Sequence, residues 1–209
     1  MLFKILNFNI FAVQKLLKQI YAKFYFLCIN VSSKKRDSFS KQEITVMNFK
    51  LRYWTYDDLE SVFRNANNPD IIKFMSDEFP DSIQKWKTFI DYTTNDKSVL
   101  YLAIEIGGNA VGGIGITPQK GIIRKNAELG YWLGKDYWGQ GVMTKAINEI
   151  VKLSFEKFDI NRIYATPFET NIASHKALEK AGFILEARFS KSIIKYEILL
   201  DELVYAIRR

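Results

Sequence analysis

The chain has 209 residues, of which 48% are hydrophobic, with a formal net charge of +7 and a pI near 9.3. This length suffices for one ordinary domain with a tail, and the composition supplies a core. The single cysteine excludes an intrachain disulfide and the single histidine excludes a histidine-rich metal site, so we expect no metal and a cytoplasmic setting.

The positive charge is concentrated at the N-terminal end. Residues 1–47 hold eight basic and two acidic side chains, so six of the seven net charges belong to them and one belongs to the rest. A near-neutral domain lacks the basic stripe typical of nucleic-acid binding. We therefore expect no nucleic-acid partner.

The first predicted element is a basic amphipathic helix over residues 1–31. Lysines interrupt its apolar run before it reaches about 18 residues, so a membrane-spanning helix is not expected. Three interpretations stay open: contact with a membrane surface or partner, packing on its own domain, or translation from an upstream start codon. Residues 32–47 are predicted to be a solvated linker ending at an alternative start, Met47, and residues 48–209 a single domain.

Helices and then an antiparallel meander are predicted to open this domain. The helical patterns cover Asp57 to Asn65, Ile71 to Met75, and Ser82 to Tyr92, with a break at Asn67 to Asp70 and Ser82 as an N-cap. The strand patterns cover Val99 to Ile106, Ala110 to Thr117, and Ala127 to Leu133. Gly107-Gly108-Asn109 turns the first strand into the second. Gly112, Gly113 and Gly115 indicate a bulge or a close backbone contact.

The second half alternates strands and helices. A helix with one buried face follows Gly141, and its apolar positions are Met143, Ala146, Ile147, Ile150, Val151, Ser154, Phe155 and Phe158. Further elements are predicted as a strand over Arg162 to Thr166, a helix over Ile172 to Ala181, and strands over Phe183 to Phe189 and Glu202 to Ile207. This order predicts an α+β fold with helices on the faces of a mixed sheet.

Two glycines stand at the start of the long helix. The first turn of a helix leaves four N–H groups without intrahelical partners and carries partial positive charge. Residues without a β-carbon let that backbone approach a bulky anion such as a pyrophosphate. Gly139 and Gly141 fit this role, although a tight strand-to-helix turn alone would also explain them.

Three segments of the domain match motifs of a known enzyme family: ELGYWLGKDYWGQGVMTKA (Glu128–Ala146), NRIYA (Asn161–Ala165) and NIASHKALEKAGF (Asn171–Phe183). Together they closely resemble the GNAT superfamily of acetyl-CoA-dependent N-acetyltransferases, and within it the ribosomal-protein (RimJ/RimL) type. The resemblance covers about residues 48–208. It implies a mostly antiparallel central sheet flanked by helices, with a splayed acetyl-CoA cleft between the strands at 127–133 and 162–166.

The resemblance also implies the residues that bind acetyl-CoA. The pyrophosphate loop falls on Trp138, Gly139, Gln140, Gly141, Val142 and Met143, and the amides continue to Thr144. Trp138 and Met143 depart from the general pattern of the superfamily, but backbone N–H groups rather than side chains do the binding. Asn171 and Ser174 match the Asn-x-x-Ser motif of the family, which implies that Asn171 contacts pantetheine and that the Ser174 hydroxyl lies near the departing sulfur. An N-cap pair for the helix is the competing interpretation, and both roles are compatible. Together with Leu133 at the end of the preceding strand, these residues complete the expected cofactor-binding set.

Catalysis by direct attack of an amine needs three kinds of group. A backbone N–H around Leu133 is expected to polarise the acetyl oxygen. A carboxylate has to take a proton from the amine, and Glu128 is the first candidate and Glu169 the second. Leu178 occupies the position of the tyrosine that protonates the thiolate in many members, so Ser174, Tyr164 or water is left for that role.

A histidine, two residues of the closing strand and four aromatic residues are not expected to take part in the chemistry. His175 is expected on the surface of its helix, and Asp201 and Tyr205 in the closing strand are expected to be structural. Trp54, Trp86, Tyr131 and Trp132 either line an acceptor pocket or pack in the core.

The predicted function is transfer of acetyl from acetyl-CoA to a primary amine, with acetyl-CoA as cosubstrate and no metal. The acceptor is either a protein N-terminal amine or a small amine such as a polyamine, an amino acid or an antibiotic. A non-catalytic acyl-CoA-binding module is the alternative. The expected partners are acetyl-CoA and the acceptor, in a monomer or a homodimer.

Overall fold

Seven strands form one sheet in the order β1-β2-β3-β4-β5-β7-β6 in the computed structural model, which describes residues 48–75 and 79–209. The strands are β1 Lys50–Arg52, β2 Leu100–Ile106, β3 Asn109–Pro118, β4 Asn126–Leu133, β5 Arg162–Ala165, β6 Ile184–Lys195 and β7 Ile198–Arg208. Strands β4 and β5 are parallel, and the other neighbours are antiparallel. The predicted mixed, mostly antiparallel α+β sheet is confirmed.

Within the described residues, five α-helices cover the two faces of this sheet. They are α1 Leu59–Ala66, α2 Pro69–Ile72, α3 Ile83–Asn95, α4 Val142–Lys157 and α5 Ile172–Lys180. The first three enclose a tryptophan-rich cluster on one face, with Trp54, Trp86 and Trp132 at its centre. Helices α4 and α5 contribute to the larger aliphatic core on the other face. Alternate side chains of one strand therefore enter different cores.

Most predicted elements are present, with three differences. Helix α2 begins at Pro69, inside the segment interpreted as a break, because Asn68 caps it by accepting from the Asp70 amide at 2.9 Å. The hairpin of β6 and β7 extends further toward its turn than predicted, since β6 ends at Lys195 instead of Phe189 and β7 begins at Ile198 instead of Glu202. Strand β1 was not predicted: it has three residues, and its two charged ends form ion pairs with Glu105 of β2.

Glycines in β3 make close contacts, as one of the two interpretations expected. A β-carbon on Gly115 would lie 2.2 Å from the Tyr101 ring, and one on Gly113 would lie 2.7 Å from the Trp132 indole nitrogen. Both distances are shorter than any ordinary contact. These positions therefore serve packing of aromatic rings over the sheet.

The predicted helix over residues 1–31 and linker over residues 32–47 lie outside the described residues. Within residues 48–75 and 79–209, no helix combines the length and the apolar character needed to cross a bilayer.

Asp58 is bound to Arg52 and Thr55 at the start of the domain, and replacing it with alanine is expected to lower the free energy of unfolding by about 1–3 kcal/mol. The residue is 3% exposed, and its carboxylate accepts hydrogen bonds from the Arg52 guanidinium at 2.6 and 2.7 Å and from the Thr55 amide at 2.9 Å. Its loss would leave Arg52 only partly paired. Chemical denaturation at neutral pH measures the difference.

The effect of Asp58 also has a defined pH dependence. Burial by itself would raise the pKa of Asp58, but Arg52 and the Thr55 amide outweigh it and hold the pKa below its usual value. The contribution is therefore present above the usual aspartate pKa, about 3.9, and is lost as the pH falls through the lower folded value. Asp81→Ala, which removes an exposed pair with Lys85, is the control and should change stability little.

Candidate active site

The parallel strands β4 and β5 separate part of the way along their length. Their register runs from Asn126 opposite Arg162 to Glu128 opposite Tyr164 and ends there. Strand β4 continues for five more residues, still paired to β3 as far as Leu133 opposite Gly112. The result is a fork in the middle of the sheet, as predicted for this pair of strands.

Peptide groups at the end of β4 point into the fork. The Gly134 amide donates to the Val111 carbonyl at 2.7 Å, so these two residues form a hydrogen-bonded pair. Because bonded and non-bonded pairs alternate in an antiparallel ladder, the N–H and C=O of Leu133 face away from β3. The Leu133 carbonyl accepts a 2.7 Å hydrogen bond from the Trp138 indole, while its N–H is directed toward the fork.

Helix α4 begins at the mouth of the fork without a side-chain cap. Its N-cap is Gly141, whereas α3 and α5 are capped by Ser82 and Asn171, which accept from amides in the first turn. The first-turn amides of this 16-residue helix, from Val142 to Thr144, are therefore available to an outside acceptor. The partial positive charge of a helix N-terminus favours an anion.

Both glycines of the loop before α4 have left-handed backbone conformations. The φ angles are 74° at Gly139 and 76° at Gly141, and a β-carbon at either position would meet no protein atom within 4 Å. Glycine is favoured here by conformation, and the space beside it is open. The Gln140 side chain between them donates to the Asp136 carbonyl at 2.8 Å, which holds the loop in shape.

A cavity of about 320 Å³ joins these features. Nine of the ten predicted cofactor-binding residues line it: Leu133, Trp138, Gly139, Gly141, Val142, Met143, Thr144, Asn171 and Ser174. The tenth, Gln140, does not. The sequence did not single out Tyr137, Lys176 or Lys180, which also line the cavity, nor Ile71. Only Lys176 and Lys180 could have been found from the sequence, because residues four apart lie on the same face of a helix.

The start of α5 forms the wall opposite β4. Asn171 accepts from the Ser174 amide at 3.2 Å, so the capping role expected for this pair is present. Ser174 is buried, and its hydroxyl lies 2.6 Å from the Tyr131 hydroxyl. Tyr131 lines the cavity, and Trp54 and Trp86 belong to the core. Trp132 does both, since it lines the cavity and packs in the tryptophan-rich cluster.

Glu128 lies where β4 and β5 separate, on the opposite face of β4 from Tyr131. Partial loss of hydration and the nearby Glu202 carboxylate raise the pKa of Glu128 above its usual value, and the Tyr164 hydroxyl offsets part of this. Along the same face of β4 the next residues are Gly130 and Trp132. A β-carbon on Gly130 would meet nothing within 4 Å, so the space beside Gly130, between Glu128 and Trp132 on this face, is open. Trp132 lines the cavity, and Glu128 does not.

Glu169 has a different environment. One carboxylate oxygen accepts from Arg188 at 2.8 Å and the other from the Asp201 amide at 3.2 Å, and the residue does not line the cavity. Asp201 in turn pairs with Arg188 and accepts from the Lys191 amide at 2.9 Å. These contacts tie the loop before α5 to the hairpin of β6 and β7.

The expected surface position of His175 is wrong. The residue is 9% exposed, its Nε2 lies 3.0 Å from the Phe168 carbonyl oxygen, and its ring stacks on Tyr205 with centroids 5.6 Å apart. The face of α5 that carries His175 packs on β7, which helical periodicity alone did not reveal. No cluster of His, Cys, Asp or Glu suited to a metal occurs within residues 48–75 and 79–209.

The match to a family model agrees with this geometry. The model of the acetyltransferase (GNAT) domain matches residues 48–184, which include the fork, the glycine loop and α5.

Individual relatives are similar at low identity. YdaF of Bacillus subtilis is 30% identical over 66 residues, 32% of this chain and 36% of YdaF. The ribosomal-protein-serine acetyltransferase of Escherichia coli is 26% identical over 84 residues, 40% of this chain and 47% of that enzyme. The chain thus aligns with less than half the length of these two relatives. Mycobacterium smegmatis RimJ, solved with CoA-disulfide, shares the fold at a TM-score of 0.69 and 22% identity, over 78% of this chain and 83% of RimJ.

Proposed function

Because this chain belongs to the acetyltransferase (GNAT) domain family, we propose that it transfers an acetyl group from acetyl-CoA to a primary amine. The observation that supports this most directly is the uncapped start of α4, preceded by two glycines with open space beside them. The cosubstrate supplies an activated thioester. The protein has to bind it, orient it and receive a proton.

The glycine loop and the first turn of α4 would hold the diphosphate. Amides of Val142, Met143 and Thr144 would donate to phosphate oxygens, and bonds to charged acceptors are the strong ones. Lys176 and Lys180 add positive charge to the same cavity from α5. This charge is local, since the domain as a whole is nearly neutral.

The fork between β4 and β5 would hold pantetheine and the acetyl group. The Leu133 amide, directed into the fork, would donate to the acetyl oxygen as negative charge develops there. The Trp138 indole keeps the Leu133 carbonyl occupied and so fixes the orientation of this peptide. Asn171 remains the candidate for a polar contact with the pantetheine chain.

Glu128 is proposed as the group that accepts the amine proton, through water in the open space beside Gly130. Its raised pKa makes it a stronger base than an ordinary carboxylate. Glu169 is the weaker candidate because both of its oxygens already accept hydrogen bonds. The amine would approach on the face of the sheet that carries Trp132, with Phe74 and Met75 lining the near side of the cavity.

The N-terminal amine of a protein is the proposed acceptor. The name of the Escherichia coli relative assigns it to ribosomal proteins, which supports this choice. Small amines are the competing acceptors.

Calorimetric titration of acetyl-CoA into the full chain, followed by thiol release with N-terminal peptides and a panel of small amines, tests the proposal. We expect binding and turnover with peptides. Absence of acetyl-CoA binding would reject the proposed function. Binding without turnover on any acceptor would favour a non-catalytic acyl-CoA-binding module, and turnover confined to small amines would reassign the acceptor.

A further inference from the structure

Two hydroxyl groups meet across the cavity, one from the sheet and one from a helix. The Tyr131 hydroxyl of β4 lies 2.6 Å from Ser174 Oγ of α5, and both residues line the cavity. They are 43 positions apart in the chain. The contact therefore depends on how β4 and α5 pack together.

The backbone determines where each hydroxyl points. Leu129 and Leu133 enter the core formed with α4 and α5, so Tyr131, which alternates onto the same face, points toward α5 as well. Strand β5 has already separated from β4 at this level, which leaves room for the phenol ring. Ser174 is held by the Asn171 cap at the first turn of α5.

The pair has one more hydrogen than it needs for its own contact. Each hydroxyl carries one hydrogen, and the hydrogen bond between them uses one of the two. Among the hydrogen bonds of the described residues, neither hydroxyl has a second protein partner. One O–H is thus free to donate to a third group in the cavity.

Either hydroxyl can donate in this contact. The arrangement on which the inference rests has the more acidic phenol of Tyr131 donating to Ser174 Oγ, which leaves the serine hydrogen for another acceptor. Burial raises the pKa of Tyr131 to about 12, so the phenol keeps its hydrogen at physiological pH. The direction of the Ser174 hydrogen therefore depends on Tyr131.

Other side chains are poorly placed for the same task. Leu178 is fully buried and has no polar atom. Tyr164 lies between Ile163 and Ala165, which enter the core beside α4 and α5, so its hydroxyl is on the opposite face of the sheet. Thr144 lies in the first turn of α4, where the diphosphate is proposed to bind.

We propose that Tyr131 is a positioning residue that directs the Ser174 hydroxyl toward the CoA sulfur, so that the departing thiolate receives a hydrogen bond. This inference rests on the proposed function. The amine nitrogen forms the bond to the acetyl carbon, and the carbon–sulfur bond breaks with its electron pair on sulfur. The amine proton passes through water to Glu128. Both hydroxyls keep their hydrogens, and the sulfur takes a proton from water after release.

Full proton transfer from the phenol is not required. A thiol with a pKa of about 8.5 is a much stronger acid than this tyrosine, so transfer to the thiolate would be uphill. A hydrogen bond stabilises the thiolate without that cost. The same bond should lower the pKa of the thiol of bound CoA, which can be measured without any acceptor.

The test is titration of the thiol of CoA bound to the full chain, followed by the ultraviolet absorbance of the thiolate, with steady-state kinetics alongside. Tyr131→Phe should bind CoA within about twofold of wild type, raise the bound thiol pKa by about one unit, and lower kcat about 10-fold with KM unchanged. Ser174→Ala should raise the thiol pKa at least as much. The double variant should go no further than Ser174→Ala.

A matched control exists on the other face of the same sheet. Tyr101 and Thr117 form a hydroxyl pair at 2.7 Å outside the cavity, so Tyr101→Phe should leave the thiol pKa and kcat unchanged. The inference would be overturned if Tyr131→Phe binds CoA but its bound thiol has the same pKa as in wild type. It would also be overturned if the effects of Tyr131→Phe and Ser174→Ala on the thiol pKa were fully additive. If Tyr131→Phe does not fold, an unchanged thiol pKa in Ser174→Ala would overturn it. Failure of wild type to bind CoA would instead reject the proposed function.

Discussion

Gly141→Ala is expected to weaken acetyl-CoA binding by roughly 10- to 100-fold. The added β-carbon would occupy the open space beside the first turn of α4, where the diphosphate is proposed to approach the amides. Loss of one hydrogen bond to a charged acceptor, about 1.5–3 kcal/mol, corresponds to this range. Calorimetric titration of the variant with acetyl-CoA measures the change.

The left-handed backbone at Gly141 requires a control that shares its strain. Gly108 in the turn between β2 and β3 has a φ angle of 82°, close to the 76° of Gly141, and also has open space at its β-carbon position. Gly108→Ala should therefore lose a similar stability, about 1–2 kcal/mol, without loss of binding. Equal affinities of Gly141→Ala and wild type for acetyl-CoA would show that the loop does not hold the diphosphate.

Glu128→Gln is expected to lower kcat/KM by about 10²- to 10⁴-fold, the usual contribution of a general base. The glutamine keeps the size of the side chain but cannot accept the amine proton. In wild type the rate should rise with pH through a midpoint above that of an ordinary glutamate, about 4.3, because hydration is lost and Glu202 is near. This limb of the pH profile should be absent from the variant.

Glu128→Gln should lower activity but should not lower stability. A carboxyl whose folded pKa is raised contributes stability at low pH, and that contribution is lost as the pH rises through the folded pKa. Glu128→Gln removes the charge that is disfavoured at pH 7, so its unfolding temperature should equal or exceed that of wild type. Reduced activity in a stable variant would separate catalysis from folding.

Two neighbouring substitutions make the test of Glu128 sharper. Glu202→Gln should shift the acid limb to lower pH, because it removes one cause of the raised pKa. Gly130→Val should fold, since the space is open and a strand favours β-branched residues, but it should slow turnover by filling the proposed water path. Wild-type turnover in Glu128→Gln would assign the base elsewhere.

Local sequence patterns determined most of the secondary structure and the glycine loop. The strands of the meander, helix α4 and the cap at Ser82 depend on side-chain periodicity and on short-range hydrogen bonds, which a single stretch of chain contains. The loop at Gly139 and Gly141 is equally local, because positive φ angles and an uncapped helix start follow from adjacent residues. The fold class followed from the order of these elements.

Contacts between distant segments were decided by the tertiary structure. Strand β1 is held by pairing and ion pairs with β2, and His175 is buried because α5 lies on β7. The sequence does not distinguish Glu169 from Glu128 as a base. In the structure, Glu169 accepts hydrogen bonds from Arg188 and the Asp201 amide, whereas Glu128 lies at the fork in the sheet near Glu202. The hydroxyl pair of Tyr131 and Ser174 belongs to the same class. Periodicity determines which face of an element a side chain occupies, but only packing of one element on another determines what that face meets.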